Sequence, residues 1–238
     1  MSSARIQNPK SKIQNTKALL FDFGGTLDAP GLPWRERFFR LWRDEGDDVS
    51  RKRFDRAFFV ADDVLVGAIP ETLSLAETVE RLARGVAQGL GSGDESLPDR
   101  VAARFCEDSR KNLSRSAGLL ERLASRYKLA VVSNFYGNLP AVCREAGLDR
   151  FLSAAVDSTI IGCSKPDPAI FHAALEKIPA DPTESVFVGD SLERDMAGAR
   201  GVGMRHVLLA GKSPDGRRPC CPEDAVIRSL DELAEMFL

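Results

Sequence analysis

The feature that most constrains the fold of this chain is a series of short apolar runs, several of them separated by segments with helical spacing. Five runs have the length and composition of buried strands, at residues 17–22, 128–133, 154–157, 186–189 and 205–209. Helical spacing is found between or beside them at residues 117–127, 138–146, 168–177 and 193–200. Apolar strand followed by helix and apolar strand is typical of parallel strands covered on both faces. The sequence therefore predicts an α/β fold with a doubly wound parallel sheet.

Residues 30–114 show a different pattern, with almost no strand signal. Four segments there have helical spacing, at residues 34–45, 51–67, 73–90 and 98–113. Short stretches rich in Gly, Asp, Ser or Pro separate the four segments. Four helices inserted after the first strand predict a small bundle that lies over the strand ends.

The segments before the first strand and after the fifth carry weaker signals of secondary structure. Residues 1–16 are polar and lack the apolar stretch of a signal peptide, so we expect a disordered leader. Residues 211–224 contain three prolines and should form a loop. A last short strand and a closing helix are expected within residues 225–238.

Composition excludes several classes of protein. A chain of 238 residues with 43% hydrophobic residues can form one large domain, or a core with one inserted module. The net charge of −2 argues against general nucleic-acid binding, and no apolar run approaches the roughly 18 residues that span a membrane. Five cysteines without a CxxC pair argue against a disulfide framework or a zinc site, so a reducing cytoplasm is the expected location.

Polar residues follow three of the predicted strands at the point where each strand ends. Asp22, Ser133 and Asp190 hold these positions. Because ligands bind at the carboxyl ends of parallel strands, we expect the three side chains to converge on one site. Asp22 is followed by Gly24 and Gly25, whose backbone N–H groups can approach a phosphate closely.

Four short segments give the chain a recognisable pattern. They are ALLFDFGGTL at residues 18–27, Ser133-Asn134, Lys165-Pro166, and Gly189-Asp190-Ser191 followed by Asp195. In residues and order they resemble the haloacid dehalogenase-like hydrolase superfamily, which has a Rossmann-like core. The subfamily with a helical cap after the first motif fits best. The resemblance assigns residues 30–114 to the cap, called the cap segment below, and residues 17–29 and 115–238 to the core.

The resemblance also implies roles for individual residues. Asp22 would be the nucleophile that forms an aspartyl-phosphate, and Lys165 would stabilise the charge on Asp22 and on phosphate. The residues implied to bind the phosphoryl group are Gly25, Thr26, Ser133 and Asn134. The residues implied to bind Mg²⁺ are Asp22, Asp190 and Asp195, with the backbone carbonyl of Gly24.

Gly24 departs from the pattern of the family. Most phosphatases of the family have at this position a second Asp, which acts as general acid and base. A glycine still offers its carbonyl to Mg²⁺, but it has no proton to give to a leaving group. General acid catalysis contributes roughly 10²–10⁴-fold. Turnover of alkyl phosphates should therefore suffer, whereas substrates with good leaving groups should suffer far less.

Three interpretations of the function remain open. The first is a Mg²⁺-dependent phosphohydrolase, monomeric or homodimeric, that acts on a small phosphorylated metabolite. The second is a 2-haloacid dehalogenase or a phosphonatase-type hydrolase, because members with these activities also lack the second Asp. The retained metal site argues against the dehalogenase, and the scarcity of lysines in the cap segment argues against the phosphonatase. The third is a catalytically impaired protein that binds a phosphorylated ligand.

Residues near the start of the cap segment are candidates for contact with the substrate, since the cap selects the substrate in this family. Trp34, Arg35 and Arg37 follow the first motif most closely. We expect some of them to face the cavity, while the other aromatic residues of the cap segment pack in its core.

Overall fold

The computed structural model describes residues 15–211 and 225–238. Within these ranges the strands form one parallel sheet with the order β3-β2-β1-β4-β5-β6. The strands are β1 (Ala18–Phe21), β2 (Lys128–Ser133), β3 (Ala154–Asp157), β4 (Ser185–Gly189), β5 (Arg205–Leu209) and β6 (Ala225–Ile227). The predicted α/β fold with a doubly wound parallel sheet is confirmed, including the short strand near the C-terminus.

The central strands are apolar throughout because both faces of the sheet are covered. In β1, Leu19 and Phe21 join one buried apolar cluster, whereas Ala18 and Leu20 join a second cluster. All four side chains are fully buried. Alternate side chains of a strand point to opposite faces, so a strand between two layers of helices shows no polar positions.

The helices cover both faces of the sheet, and some of them lie over the carboxyl ends of the strands. They are α1 (Trp34–Asp44), α2 (Arg51–Leu65), α3 (Leu75–Leu90), α4 (Leu97–Ala124), α5 (Leu139–Glu145), α6 (Ser158–Ile161), α7 (Pro168–Lys177), α8 (Ala197–Gly201) and α9 (Glu232–Phe237). Helix α3 begins with a capping box, in which Ser74 and Glu77 each bond the other's backbone N–H. Helices α1, α2 and α3 confirm three of the four helices expected in the cap segment.

One prediction about the helices was wrong. The two helices expected at residues 98–113 and 117–127 are a single helix, α4, of 28 residues. Ser116, which lies between the two segments, is buried and donates a hydrogen bond to the carbonyl oxygen of Leu27 at 2.8 Å, and the helix continues through it. The predicted boundary between cap segment and core falls inside this helix, and the division into two domains stays a prediction.

Two predicted segments fall almost wholly outside the described residues, namely the leader at 1–16 and the loop at 211–224. Among the helices that the structure does describe, none is both long enough and apolar enough to cross a membrane.

The order of the strands determines where a ligand can bind. The chain passes from β1 to β2 on one side and later places β4 on the other side of β1. Phe21, the last residue of β1, pairs with Val131 of β2 and Val188 of β4. Ligands of open α/β sheets bind where the strand order reverses in this way, at the carboxyl ends of the strands. Asp22 and Asp190 follow β1 and β4 directly, so both lie at this switch point.

Candidate active site

The carboxylate of Asp22 is buried at the end of β1 and held by three donors. Its Oδ1 accepts a hydrogen bond from Ser133 Oγ at 3.0 Å and lies 2.6 Å from Lys165 Nζ. Its Oδ2 accepts a hydrogen bond from the hydroxyl of Thr26 at 3.2 Å. Contacts on both oxygens fix the orientation of the carboxylate.

Lys165 is the buried cation of the site. Its Nζ lies 2.6 Å from Asp22 Oδ1 and 2.7 Å from Asp195 Oδ1. Burial alone would lower the pKa of Lys165, but the nearby carboxylates of Asp195 and Asp22 raise this pKa above its usual value. Lys165 therefore stays protonated and can neutralise negative charge.

Asn134 holds the backbone of Lys165 in place. Its Oδ1 accepts a hydrogen bond from the backbone N–H of Lys165 at 2.7 Å, and its Nδ2 donates to the Lys165 carbonyl oxygen at 3.0 Å. The side chain of Asn134 thus positions the lysine. Its predicted contact with phosphate stays a prediction.

Asp22, Asp190 and Asp195 form a buried cluster of carboxylates. One oxygen of each lies within 4.8 Å of one oxygen of the other two. Burial, followed by the charges of Asp22 and Asp195, raises the pKa of Asp190 well above its usual range. Three carboxylates face the single ammonium group of Lys165. Such a set of hard oxygen donors fits a divalent cation such as Mg²⁺.

Two glycines allow the backbone to approach these carboxylates closely. Gly25 adopts φ +94°, and a Cβ at this position would lie 2.4 Å from Asp190 Oδ2. A Cβ on Gly189 would lie 2.4 Å from Asp195 Oδ2. The N–H of Gly25 donates to Asp28 Oδ1 at 2.7 Å. The predicted phosphate contacts of Gly25 and of Thr26, whose hydroxyl holds Asp22, therefore stay predictions.

A cavity of about 360 Å³ opens over the cluster, a size that suits a small molecule. Its far wall comes from α1, α2 and the loop after β2, with Trp34, Arg35, Phe58, Phe59, Asp62, Phe135 and Tyr136. Of the three cap-segment residues predicted to lie near the site, Trp34 and Arg35 line the cavity. Arg37 is buried and does not line the cavity. A hollow of similar volume, about 380 Å³, lies within the cap segment and contains none of the predicted site residues.

Trp34 occupies the space beside Gly24. A Cβ on Gly24 would lie 3.2 Å from Trp34 Nε1 and 3.3 Å from its Cδ1. The indole cannot move aside easily, because its N–H donates to Asp28 Oδ2 at 2.8 Å and its ring packs edge-on against Phe105 and Phe135. An indole ring therefore lies where a side chain at position 24 would project.

Asp28 is an important residue that the sequence analysis missed. It is fully buried, and it accepts hydrogen bonds from the N–H of Gly25, from Trp34 and from Arg37, the last at 2.6 Å. Ser109 of α4 contacts both Asp28 and Arg37. This buried network ties the loop after β1 to α1 and α4. The one feature of the sequence that indicates a buried partner such as Asp28 is the position of the charged residue Arg37 on the apolar face of α1.

Comparison with known proteins agrees with this geometry. Residues 16–203 match the family model of the haloacid dehalogenase-like hydrolases. The chain belongs to this family. The family predicted from the four motifs is therefore confirmed.

Relatives of the haloacid dehalogenase-like family cover parts of the chain. The haloacid dehalogenase-like hydrolase domain-containing protein 3 of Bos taurus is 39% identical over 44% of this chain. The alignment spans 43% of that protein, less than half of its length. A phosphoserine phosphatase of Thermus thermophilus is 32% identical over 67% of this chain and 64% of its own. A glyceraldehyde 3-phosphate phosphatase of Methanopyrus kandleri is 41% identical over 38% of this chain and 39% of its own.

Solved structures share the fold over nearly the whole chain. A dehalogenase aligns with a TM-score of 0.61 and 21% identity, over 94% of this chain and 97% of its own. The putative hydrolase YfnB of Bacillus subtilis, determined bound to magnesium, aligns with a TM-score of 0.54 and 20% identity, over 93% and 98% of the two chains. At these identities the likeness supports the fold alone.

Proposed function

We propose that this protein is a Mg²⁺-dependent phosphohydrolase, acting on a small phosphorylated metabolite through an aspartyl-phosphate at Asp22. The observation that carries the proposal is the geometry around Asp22. Its buried carboxylate contacts a protonated Lys165 and lies within 4.8 Å of two further carboxylates, at the mouth of a cavity. Relatives named as phosphatases of phosphoserine and of glyceraldehyde 3-phosphate support the same class of substrate.

The residues of the chain suit an in-line transfer of a phosphoryl group. An oxygen of Asp22 forms a bond to phosphorus while the bond to the leaving oxygen breaks, and water then displaces Asp22 and releases phosphate. Lys165 and Ser133 are placed to contact the phosphoryl oxygens next to Asp22. Mg²⁺ held by the three carboxylates and the Gly24 carbonyl would offset the negative charge of the phosphoryl group.

Hydrolysis of 2-haloacids is the second candidate, because Gly24 offers no proton and a departing halide needs none. The carboxylate cluster argues against it. A 2-haloacid carries its own carboxylate, and a cluster of three buried acids disfavours a further anion unless a cation offsets it. A metal cation at the cluster would offset this charge, but a bound metal is a feature of the phosphohydrolase interpretation and not of the dehalogenase.

Phosphate release from acetyl phosphate, an aryl phosphate and an alkyl phosphate tests the proposal. We expect release that needs Mg²⁺ and stops when the metal is chelated. Halide release from 2-chloropropionate is measured in parallel. Halide release without phosphate release from any of the three phosphate compounds would overturn the proposal in favour of the dehalogenase.

Gly189→Ala is expected to weaken Mg²⁺ binding about 10–100-fold, the usual cost when a group that supports a metal ligand is disturbed. The added Cβ would overlap Asp195 Oδ2, which accepts a hydrogen bond from the Ser191 N–H at 2.9 Å. Calorimetric titration with Mg²⁺ measures the affinity. Gly201→Ala is the control, because a Cβ there has no neighbour within 4 Å. Equal Mg²⁺ affinity in the two variants would show that Asp195 does not support a metal.

Gly24→Asp is expected to destabilise the protein by about 1–3 kcal/mol, the usual cost of overpacking. The new side chain would press on Trp34, which its hydrogen bond to Asp28 holds in place. We therefore expect no gain in turnover of an alkyl phosphate. Urea unfolding measures the stability, and Gly24→Ala separates the steric effect from that of the carboxyl group. Higher alkyl phosphate turnover at unchanged stability would show that the space is available to an acid.

A further inference from the structure

Asp62 of α2 and Tyr136 of the loop after β2 form a hydrogen-bonded pair on the wall of the cavity that holds Asp22. The hydroxyl of Tyr136 donates to Asp62 Oδ1 at 2.5 Å. The ring of Tyr136 is buried, and Asp62 is half-buried. The mechanism described above uses neither residue.

The surroundings of the pair favour its protonated forms. Burial raises the pKa of Asp62 above its usual value; the hydrogen bond from Tyr136 and the charge of Arg194 oppose this effect, and Asp63 adds to it. Burial, followed by the charge of Asp62 and the hydrogen bond to it, raises the pKa of Tyr136 well above its usual range. Of the other charged groups on the cavity wall, Arg35 comes from α1 and Glu193 from the turn after β4.

The pair also lies near Trp34, whose indole occupies the space that an acidic side chain at position 24 would need. The indole of Trp34 contacts the space beside Gly24 and lies 6.3 Å from the ring of Tyr136, centroid to centroid. The other side chains on the cavity wall are less suited to give up a proton. Lys165 is engaged by two carboxylates, Asp190 and Asp195 belong to the carboxylate cluster that fits a metal, and Glu193 and Arg194 are exposed.

We propose that Tyr136, reprotonated by Asp62, donates the proton that the leaving oxygen requires, in place of the acid that is missing at Gly24. This inference rests on the proposed phosphohydrolase function. In this role Tyr136 would be the catalytic residue, because it would contact the leaving oxygen. Asp62 acts through Tyr136 as its positioning residue and proton source.

The protons balance over one turnover. When Asp62 is protonated, its O–H points to the Tyr136 oxygen, and the Tyr136 O–H is then directed to the substrate. As the bond from phosphorus to the leaving oxygen breaks, this oxygen takes the proton of Tyr136, and Tyr136 takes the proton of Asp62. In the second step water forms a bond to phosphorus, the bond to Asp22 breaks, and the water gives up one proton to solvent; Asp62 regains one proton from solvent, so this step does not depend on the pair.

The test compares two substrates that differ in their need for a proton. Acetate leaves from acetyl phosphate without one, whereas an alkoxide leaves poorly. Tyr136→Phe is expected to lower alkyl phosphate turnover roughly 10²-fold or more and to leave acetyl phosphate turnover nearly unchanged. Hydrolysis of acetyl phosphate also reports that the variant is folded.

The pH dependence of alkyl phosphate turnover tests the role of Asp62 as proton source. Since Asp62 must be protonated, alkyl phosphate turnover should fall as the pH rises through its raised pKa, and acetyl phosphate turnover should not follow this fall. Asp62→Asn is expected to lower alkyl phosphate turnover to a similar extent as Tyr136→Phe and to remove this limb of the profile. Glu71→Gln, at an exposed position outside the cavity wall, is the control and should keep the wild-type profile.

The outcomes separate this inference from the proposed function. Equal losses on both substrates, or no loss on either, would overturn the inference. Wild-type protein that hydrolyses acetyl phosphate but no alkyl phosphate would also overturn it and would leave the phosphohydrolase intact. Failure to release phosphate from acetyl phosphate, the aryl phosphate and the alkyl phosphate alike would instead overturn the proposed function itself.

Discussion

Asp22→Asn is expected to abolish phosphate release, with turnover lowered by roughly four orders of magnitude or more, as for other removed nucleophiles. The amide has nearly the same shape as the carboxylate, so Ser133 and Thr26 can still contact it. It cannot attack phosphorus as a charged oxygen, and it no longer pairs with Lys165. Release of phosphate from acetyl phosphate measures the effect.

The control is Asp149→Asn, at an exposed position after α5. This variant should keep the wild-type rate. Circular dichroism of Asp22→Asn should match that of the wild type, because the substitution conserves volume at a buried site. A substantial rate retained by a folded Asp22→Asn variant would contradict the assignment of the nucleophile.

Arg37→Met is expected to lower the free energy of unfolding by about 3–5 kcal/mol, the cost of removing one partner of a buried ion pair. Arg37 Nη1 lies 2.6 Å from Asp28 Oδ2, and both side chains are almost fully buried. Methionine fills much of the same volume but leaves the charge of Asp28 without its cation. Because Asp28 also holds the N–H of Gly25, the loop after Asp22 should loosen as well.

Arg40→Met on the same helix is the matched control. Arg40 pairs with Glu36 at 2.8 Å, but its side chain is 59% exposed. Ion pairs of this kind contribute little, so stability should hardly change. Urea unfolding of the two variants makes the comparison. Equal effects would show that the buried network around Asp28 does not stabilise the fold.

The sheet and the residues at its strand ends could be predicted from the sequence because their signals are local. A strand buried on both faces is apolar along its whole length, so 128–133 and 186–189 were evident. Parallel pairing then brings the ends of such strands together. The sequence therefore predicts Asp22 and Asp190 at one site, where the structure has them.

The remaining features depend on contacts between distant segments, which leave no periodic signal. Arg37 meets Ser109, and Asp62 meets Tyr136, across more than 70 positions of the chain. The sequence also does not indicate the direction in which a side chain points. Asn134 was predicted to contact phosphate, and in the structure its amide is turned to the backbone of Lys165.

A phosphoryl group on Asp22 would be the most direct evidence for the central claim. The protein is mixed with acetyl phosphate and Mg²⁺, quenched in acid within one turnover, digested and analysed by mass spectrometry. We expect the phosphoryl group on the peptide that contains Asp22, and its absence when the metal is chelated before mixing. Phosphate release without any modification of Asp22 would contradict the account.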